Sequence, residues 1–151
     1  MAKSKKMQRI KQIEYHLRNY HTYKVGIKNL MKQLDHIMPS MTASYDITGS
    51  SSGTFNIKSE TENFAIDRIE SRKALDLHED IKRYELIINA IDESLNSLND
   101  IEYEFIQNRY IEGKTIANTA MELGYSDKHI FNIRNSAFSK LLISLKGILQ
   151  L

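Results

Sequence analysis

Apolar residues return at alternating steps of three and four along two long stretches of this chain, and that spacing commits both to helix. The first series is Ile10, Ile13, Leu17, Tyr20, Ile27, Met31, Leu34 and Met38, with Lys24 the one polar residue in register. The second is Ala74, Leu77, Ile81, Tyr84, Ile88, Ile91, Leu95 and Leu98. A mean step of 3.5 residues keeps one apolar seam on one side of a helix, as coiled coils require. Phe64, Ile66 and Ile69 fall out of phase with the second seam, so the start of that helix is expected to pack differently. Only one proline and six glycines interrupt the 151 residues. Pro39 is expected to end the first helix, since proline cannot donate to the backbone ladder. The predicted class is all-α, with a long helical hairpin or coiled coil over residues 1–98 and a small helical domain over 99–151. The two seams form an antiparallel hairpin within one chain or pair with those of another copy, and a homo-oligomer is expected.

Residues 39–59 separate the seams and are rich in Ser, Thr and Gly, with Gly49 and Gly53 enclosing three serines. That composition has no period and predicts a flexible loop. Met41, Tyr45, Ile47, Phe55 and Ile57 alternate with polar residues, which leaves open a small β-hairpin or order gained on binding a partner. Ser59, with Glu62 three residues on, reads as a capping box that restarts helix.

Residues 115–141 read as a helix, a tight turn and a second helix. Ile116, Thr119, Ala120 and Leu123 share one face of a short helix. Gly124 follows where a left-handed cap suits a residue without a Cβ, and Ser126 or Asp127 can cap the next helix. Ile130, Ile133, Ala137, Phe138 and Leu141 give that helix a buried stripe. Ile101, Phe105, Ile116, Ala120, Leu123, Ile130, Ile133, Ala137 and Leu141 are the predicted core of the domain, with Ala120 small where the two helices cross. These are the parts of a helix-turn-helix DNA reader. Lys128, Asn132 and Asn135 can present donors to base edges, asparagine to adenine and lysine to guanine. Asp127 can accept from cytosine or serve as the helix cap, and Phe131 can meet a thymine methyl or turn into the core. Arg109, Lys114, Thr115, Ser126, Arg134 and Lys140 are candidate phosphate contacts, which position without specifying.

The same residues carry a family resemblance. Thr115-Ile116, Leu123-Gly124, Ser126, Ile130, Asn132-Ile133 and Ala137-Phe138-Ser139-Lys140-Leu141 resemble region 4 of bacterial sigma-70-type sigma factors over residues 99–145. In that family the second helix enters the major groove of a promoter, which implies double-stranded DNA and host RNA polymerase as partners. Asp127, Lys128 and Phe131 depart from the charges usual there, so the docking mode is implied and the target sequence is not. The whole layout is similar to ArpU/RinA-type phage transcriptional regulators. The implied function is a late-gene activator working with host RNA polymerase in the bacterial cytoplasm. Nothing in the first half resembles the sigma segment that melts promoters, which argues against a complete sigma factor. A small terminase-like DNA-packaging subunit is the alternative, although such subunits usually place the DNA-binding domain first. A pure interaction protein is a third reading.

Charge and composition bear on these readings. The net charge of +2 hides a basic start, with seven bases against one acid over residues 1–24. Residues 60–104 carry thirteen acids against five bases, and residues 105–151 carry six bases against three acids. The basic start is either a nucleic-acid footprint or a solvated helix end. The reader block is weakly charged for a DNA binder, so dimerisation, the basic start or polymerase would have to supply the remaining affinity. The chain has no cysteine, hence no disulfide and no thiolate metal site, and a reducing compartment is expected. No apolar run approaches the length of a membrane span, and no apolar segment follows the basic start as a secretion signal requires. The five histidines lack metal-ligand spacing, and no metal or other cofactor is expected. Gly113-Lys114-Thr115 imitates the end of a phosphate-binding loop, but Asn108 stands where that loop needs glycine. No paired acid/base site is visible, so no catalytic residue is assigned and no enzyme activity is expected.

Overall fold

The computed structural model describes residues 2–43 and 60–150, and the side chains of residues 2–37 and 65–149. It is helical throughout, with no strand among the described residues. In chain order the helices are α1 (Ala2–Arg18), α2 (Tyr20–Ala43), α3 (Glu60–Asn96), α4 (Asp100–Ile106), α5 (Ile116–Leu123) and α6 (Asp127–Ser144). A π-helical turn, Gln107–Ile111, continues α4, and a 3₁₀ turn, Ile148–Gln150, follows α6. The possible β-hairpin and the capping box at Ser59 lie outside the described residues.

The first seam holds two helices where one was expected. The interruption is a single residue, Asn19, whose backbone N–H and side-chain amide both donate to the Tyr15 carbonyl at 3.1 and 2.8 Å. The Asn19 carbonyl in turn accepts from Tyr23 N at 2.9 Å. Pro39 does not end α2, which runs on to Ala43. Proline removes one donor and crowds one carbonyl, a penalty of roughly 3 kcal/mol, but it leaves the hydrogen bonds of later residues available. Residues 39–43 of the expected loop are therefore helical, and the rest of it lies outside the described residues.

The chain divides into two compact units, Met1–Lys24 with Glu85–Leu151, and Val25–Tyr84. The unit that contains α5 and α6 therefore takes in α1 and the end of α3 as well. In the second unit Ile81 is buried, and Ala74, Leu77 and Tyr84 of α3 are half-buried, as are Ile27 and Leu34 of α2. Gly26 faces the Tyr84 ring, which a Cβ would meet at 3.4 Å.

The first unit has one core. Ile13 and Leu17 of α1, Ile87, Ile91 and Leu95 of α3, Phe105 and Ile106 of α4, and Ile130, Ile133, Ala137, Phe138 and Leu141 of α6 all belong to it. The π turn explains how α4 joins this core. Phe105 and Ile106 are followed five residues later by Tyr110 and Ile111, all four buried. An α-helix would turn the second pair away, whereas the wider turn, closed by Glu112 N to Gln107 O at 2.9 Å, keeps both pairs facing inward. Phe105, Tyr110 and Phe138 then meet edge to face at 6.0 and 5.5 Å.

Two expected core positions are exposed. Ile101 is 38% exposed, and its neighbour Glu102 is buried instead, because the inward row of α4 runs Glu102, Phe105, Ile106. Ile116 is also 38% exposed, since it opens α5 one turn before that helix reaches α6 at Ala120. Leu123 is half-buried. The other six expected core residues are buried.

Candidate nucleic-acid interface

Local chemistry sets the angle between α5 and α6. Thr115 caps α5, its hydroxyl accepting from Asn118 N at 3.2 Å. Gly124 ends α5 in the left-handed region at φ 72°, and Tyr125 N closes the turn on the Ala120 carbonyl at 3.1 Å. Ser126 caps α6 and accepts from His129 N at 3.4 Å. Of the two expected cap candidates, Ser126 serves, and Asp127 is the first residue inside α6, where its charge suits the helix dipole. Thr119 is fully buried between the helices and satisfies its hydroxyl on the Thr115 carbonyl at 2.9 Å.

The residues expected to meet bases share one outward face. Asp127, Lys128, Phe131, Asn132 and Asn135 are all exposed along α6. Phe131 is 56% exposed, so it does not turn into the core. It borders a cleft floored by Phe105, Ile116 and Ile130 and edged by Arg109 and Arg134. Asn132 and Lys128 make no hydrogen bond or ion pair among the described residues.

Most of the expected phosphate contacts are engaged elsewhere. Arg134 turns inward to Glu14 of α1, Nη2 to Oε1 at 2.7 Å. Tyr110 completes the group, its hydroxyl donating to the same Glu14 oxygen at 2.9 Å and accepting from Arg134 Nε at 3.2 Å. The guanidinium also lies 5.0 Å from the centre of the Phe138 ring. Burial pushes the Glu14 carboxyl up, but the hydrogen bonds from Arg134 and Tyr110 and the Arg134 charge outweigh it and hold the group below the usual glutamate value. Lys140 pairs with Glu102 at 2.9 Å, and Ser136 donates to the same carboxylate at 2.6 Å. Burial raises the Glu102 pKa, and the Ser136 and Lys140 hydrogen bonds bring it below its ordinary value. Lys114 bridges Glu112 and Glu122 at 2.7 and 2.8 Å. Arg109 donates to the Lys114 carbonyl at 2.8 Å, which fixes the approach to α5.

Glu14, Tyr110 and Glu102 are thus the residues that sequence reasoning missed. Glu14 carried a signal, being the one acid among seven bases in the first 24 residues. Glu102 carried none, since its polarity pointed outward and Ile101 was expected on the inward row of α4 instead. Among the described residues no cluster of His, Cys, Asp or Glu could hold a metal ion, and no helix is long and apolar enough to cross a membrane. Comparisons with protein families, curated proteins and solved structures find no match.

Proposed function

We propose that the chain is a sequence-specific DNA-binding transcriptional regulator that reads the major groove with α6. The observation that carries this reading is the outward row of α6. Lys128, Asn132 and Asn135 stand exposed on a helix whose opposite side is locked into the core and whose start is fixed by the Gly124 turn and the Ser126 cap. Hydrogen-bonding side chains on a rigid helix suit base edges, because a pre-positioned amide loses little entropy on binding. Either asparagine offers the donor–acceptor pair that matches adenine, Lys128 suits guanine, and the Phe131 ring can cover a thymine methyl. The capped helix starts at Thr115 and Ser126 are the favourable places for phosphates, through backbone amides and hydroxyls.

The resemblance to sigma region 4 and to ArpU/RinA-type regulators supports a promoter as the target and RNA polymerase as the second partner, with late phage genes as the regulated class. Selection from a pool of random duplexes, followed by transcription with host RNA polymerase from a promoter carrying the enriched site, tests the proposal. The expected outcome is one enriched motif and a higher transcript yield. A pool that returns unenriched, or a ring of many copies that stimulates a packaging ATPase without a promoter effect, refutes it.

A further inference from the structure

The unit that holds α6 keeps most of its usable positive charge on another helix. Residues 99–151 carry six bases (Arg109, Lys114, Lys128, Arg134, Lys140, Lys146) and six acids (Asp100, Glu102, Glu104, Glu112, Glu122, Asp127), a net charge of zero. Three of those bases are ion-paired within the unit, and Arg109 is held by a carbonyl. α1 carries Lys3, Lys5, Lys6, Arg9, Lys11 and Arg18 against Glu14 alone, six bases less one acid. Every residue from 2 to 9 is exposed, and Lys11 is too. None of these five cations joins an ion pair among the described residues.

Their placement runs against the local rules for a helix start. Free amides and the backbone dipole at that end favour anions, yet the first turn of α1 contains no acid. Lys5 and Arg9 stand four apart, and Lys3 and Lys6 three apart, spacings at which like charges destabilise a helix. Among the described residues nothing inside the unit relieves this conflict, and unrelieved local conflict is a mark of function. The position is fixed nonetheless, because Ile13 and Leu17 are buried in the core and Glu14 is tied to Arg134 of α6. At about 1.5 Å of rise per residue, Lys3 to Lys11 cover roughly 12 Å of helix. Duplex DNA carries one phosphate per about 1.7 Å of axis, so that length can meet several.

We infer that the first turns of α1 are a second DNA contact, a sequence-independent clamp on phosphates flanking the site read by α6. The inference rests on the DNA-binding reading above and adds the source of the affinity that α6 lacks. The clamp holds the duplex by charge, and α6 supplies the choice of sequence.

The full chain carrying Lys3→Gln, Lys5→Gln, Lys6→Gln, Arg9→Gln and Lys11→Gln tests it, since glutamine keeps good helix propensity. Binding to the selected duplex and to a scrambled duplex is measured between about 50 and 200 mM salt. The slope of log affinity against log salt is expected to become shallower by about two to four units, at roughly 0.9 per phosphate. Both duplexes should lose affinity by the same factor, so that their ratio is unchanged, and the corresponding set of Lys→Arg changes should retain wild-type binding. An unchanged slope overturns the clamp while a retained sequence preference leaves the base-reading role standing. Parallel loss on duplexes that the wild type never discriminated does the reverse. A wild-type chain that binds no duplex, or that prefers vesicles of phosphatidylserine, overturns both.

Discussion

Replacing Arg134 by Met separates a phosphate contact from an internal tie. The Met side chain keeps an apolar stem against Phe138 but removes the charge held by Glu14 and Tyr110. A fully buried pair broken on one side costs about 3–5 kcal/mol, and an exposed pair about 0–1 kcal/mol. The Arg134 and Glu14 side chains are 27% and 21% exposed, which places this pair between those limits, at about 2 kcal/mol. Urea unfolding of Arg134→Met, Glu14→Gln and the double variant closes a mutant cycle, with an expected coupling of about 1–2 kcal/mol. Acid should erase that coupling. The folded Glu14 carboxyl titrates below its unfolded value, so its contribution is full above the ordinary glutamate range and is lost as pH falls through the lowered value. DNA binding by the refolded variant should keep its salt slope. Unchanged stability with no coupling, together with a slope shallower by about one unit, would refute the argument and return Arg134 to the phosphates.

Glu102→Gln should destabilise the chain by about 1–2 kcal/mol at neutral pH, the scale of one charge-assisted hydrogen bond. The difference should vanish in acid, where wild-type Glu102 is itself protonated, as urea unfolding at both conditions would show. Gly124→Ala should cost about 1 kcal/mol from the left-handed backbone alone, since the added Cβ meets nothing within 4 Å. A loss much above that, read from the same unfolding curves, would point to a packing role for this turn.

The sequence made the local parts of this fold legible and left the distant partnerships hidden. Thr115, Gly124 and Ser126 announce helix ends because capping is a matter of adjacent residues, and all three do what their positions suggested. The stripe of α6 was equally readable, since a period needs no tertiary knowledge. The fate of Arg134 was not readable, because its partner lies 120 residues away. The Lys140 pairing was hidden for the same reason, its carboxylate being supplied by another helix. Ile101 and Glu102 exchanged roles because side-chain polarity suggested the inward row wrongly, and only the five-residue spacing of Phe105-Ile106 and Tyr110-Ile111 hinted at the π turn. Of the site, Asp127, Lys128, Phe131, Asn132 and Asn135 are exposed along α6, whereas Arg109, Lys114, Arg134 and Lys140, expected at phosphates, make contacts within the fold.

Base discrimination by Asn132 is the most direct test of the account. Its side chain is exposed and bonds to no described residue, so Asn132→Ala should leave stability unchanged. On the selected duplex the variant should lose about 1–3 kcal/mol of binding free energy, with scrambled DNA unaffected. Equal losses on both duplexes, or none on either, would contradict the claim that α6 reads sequence.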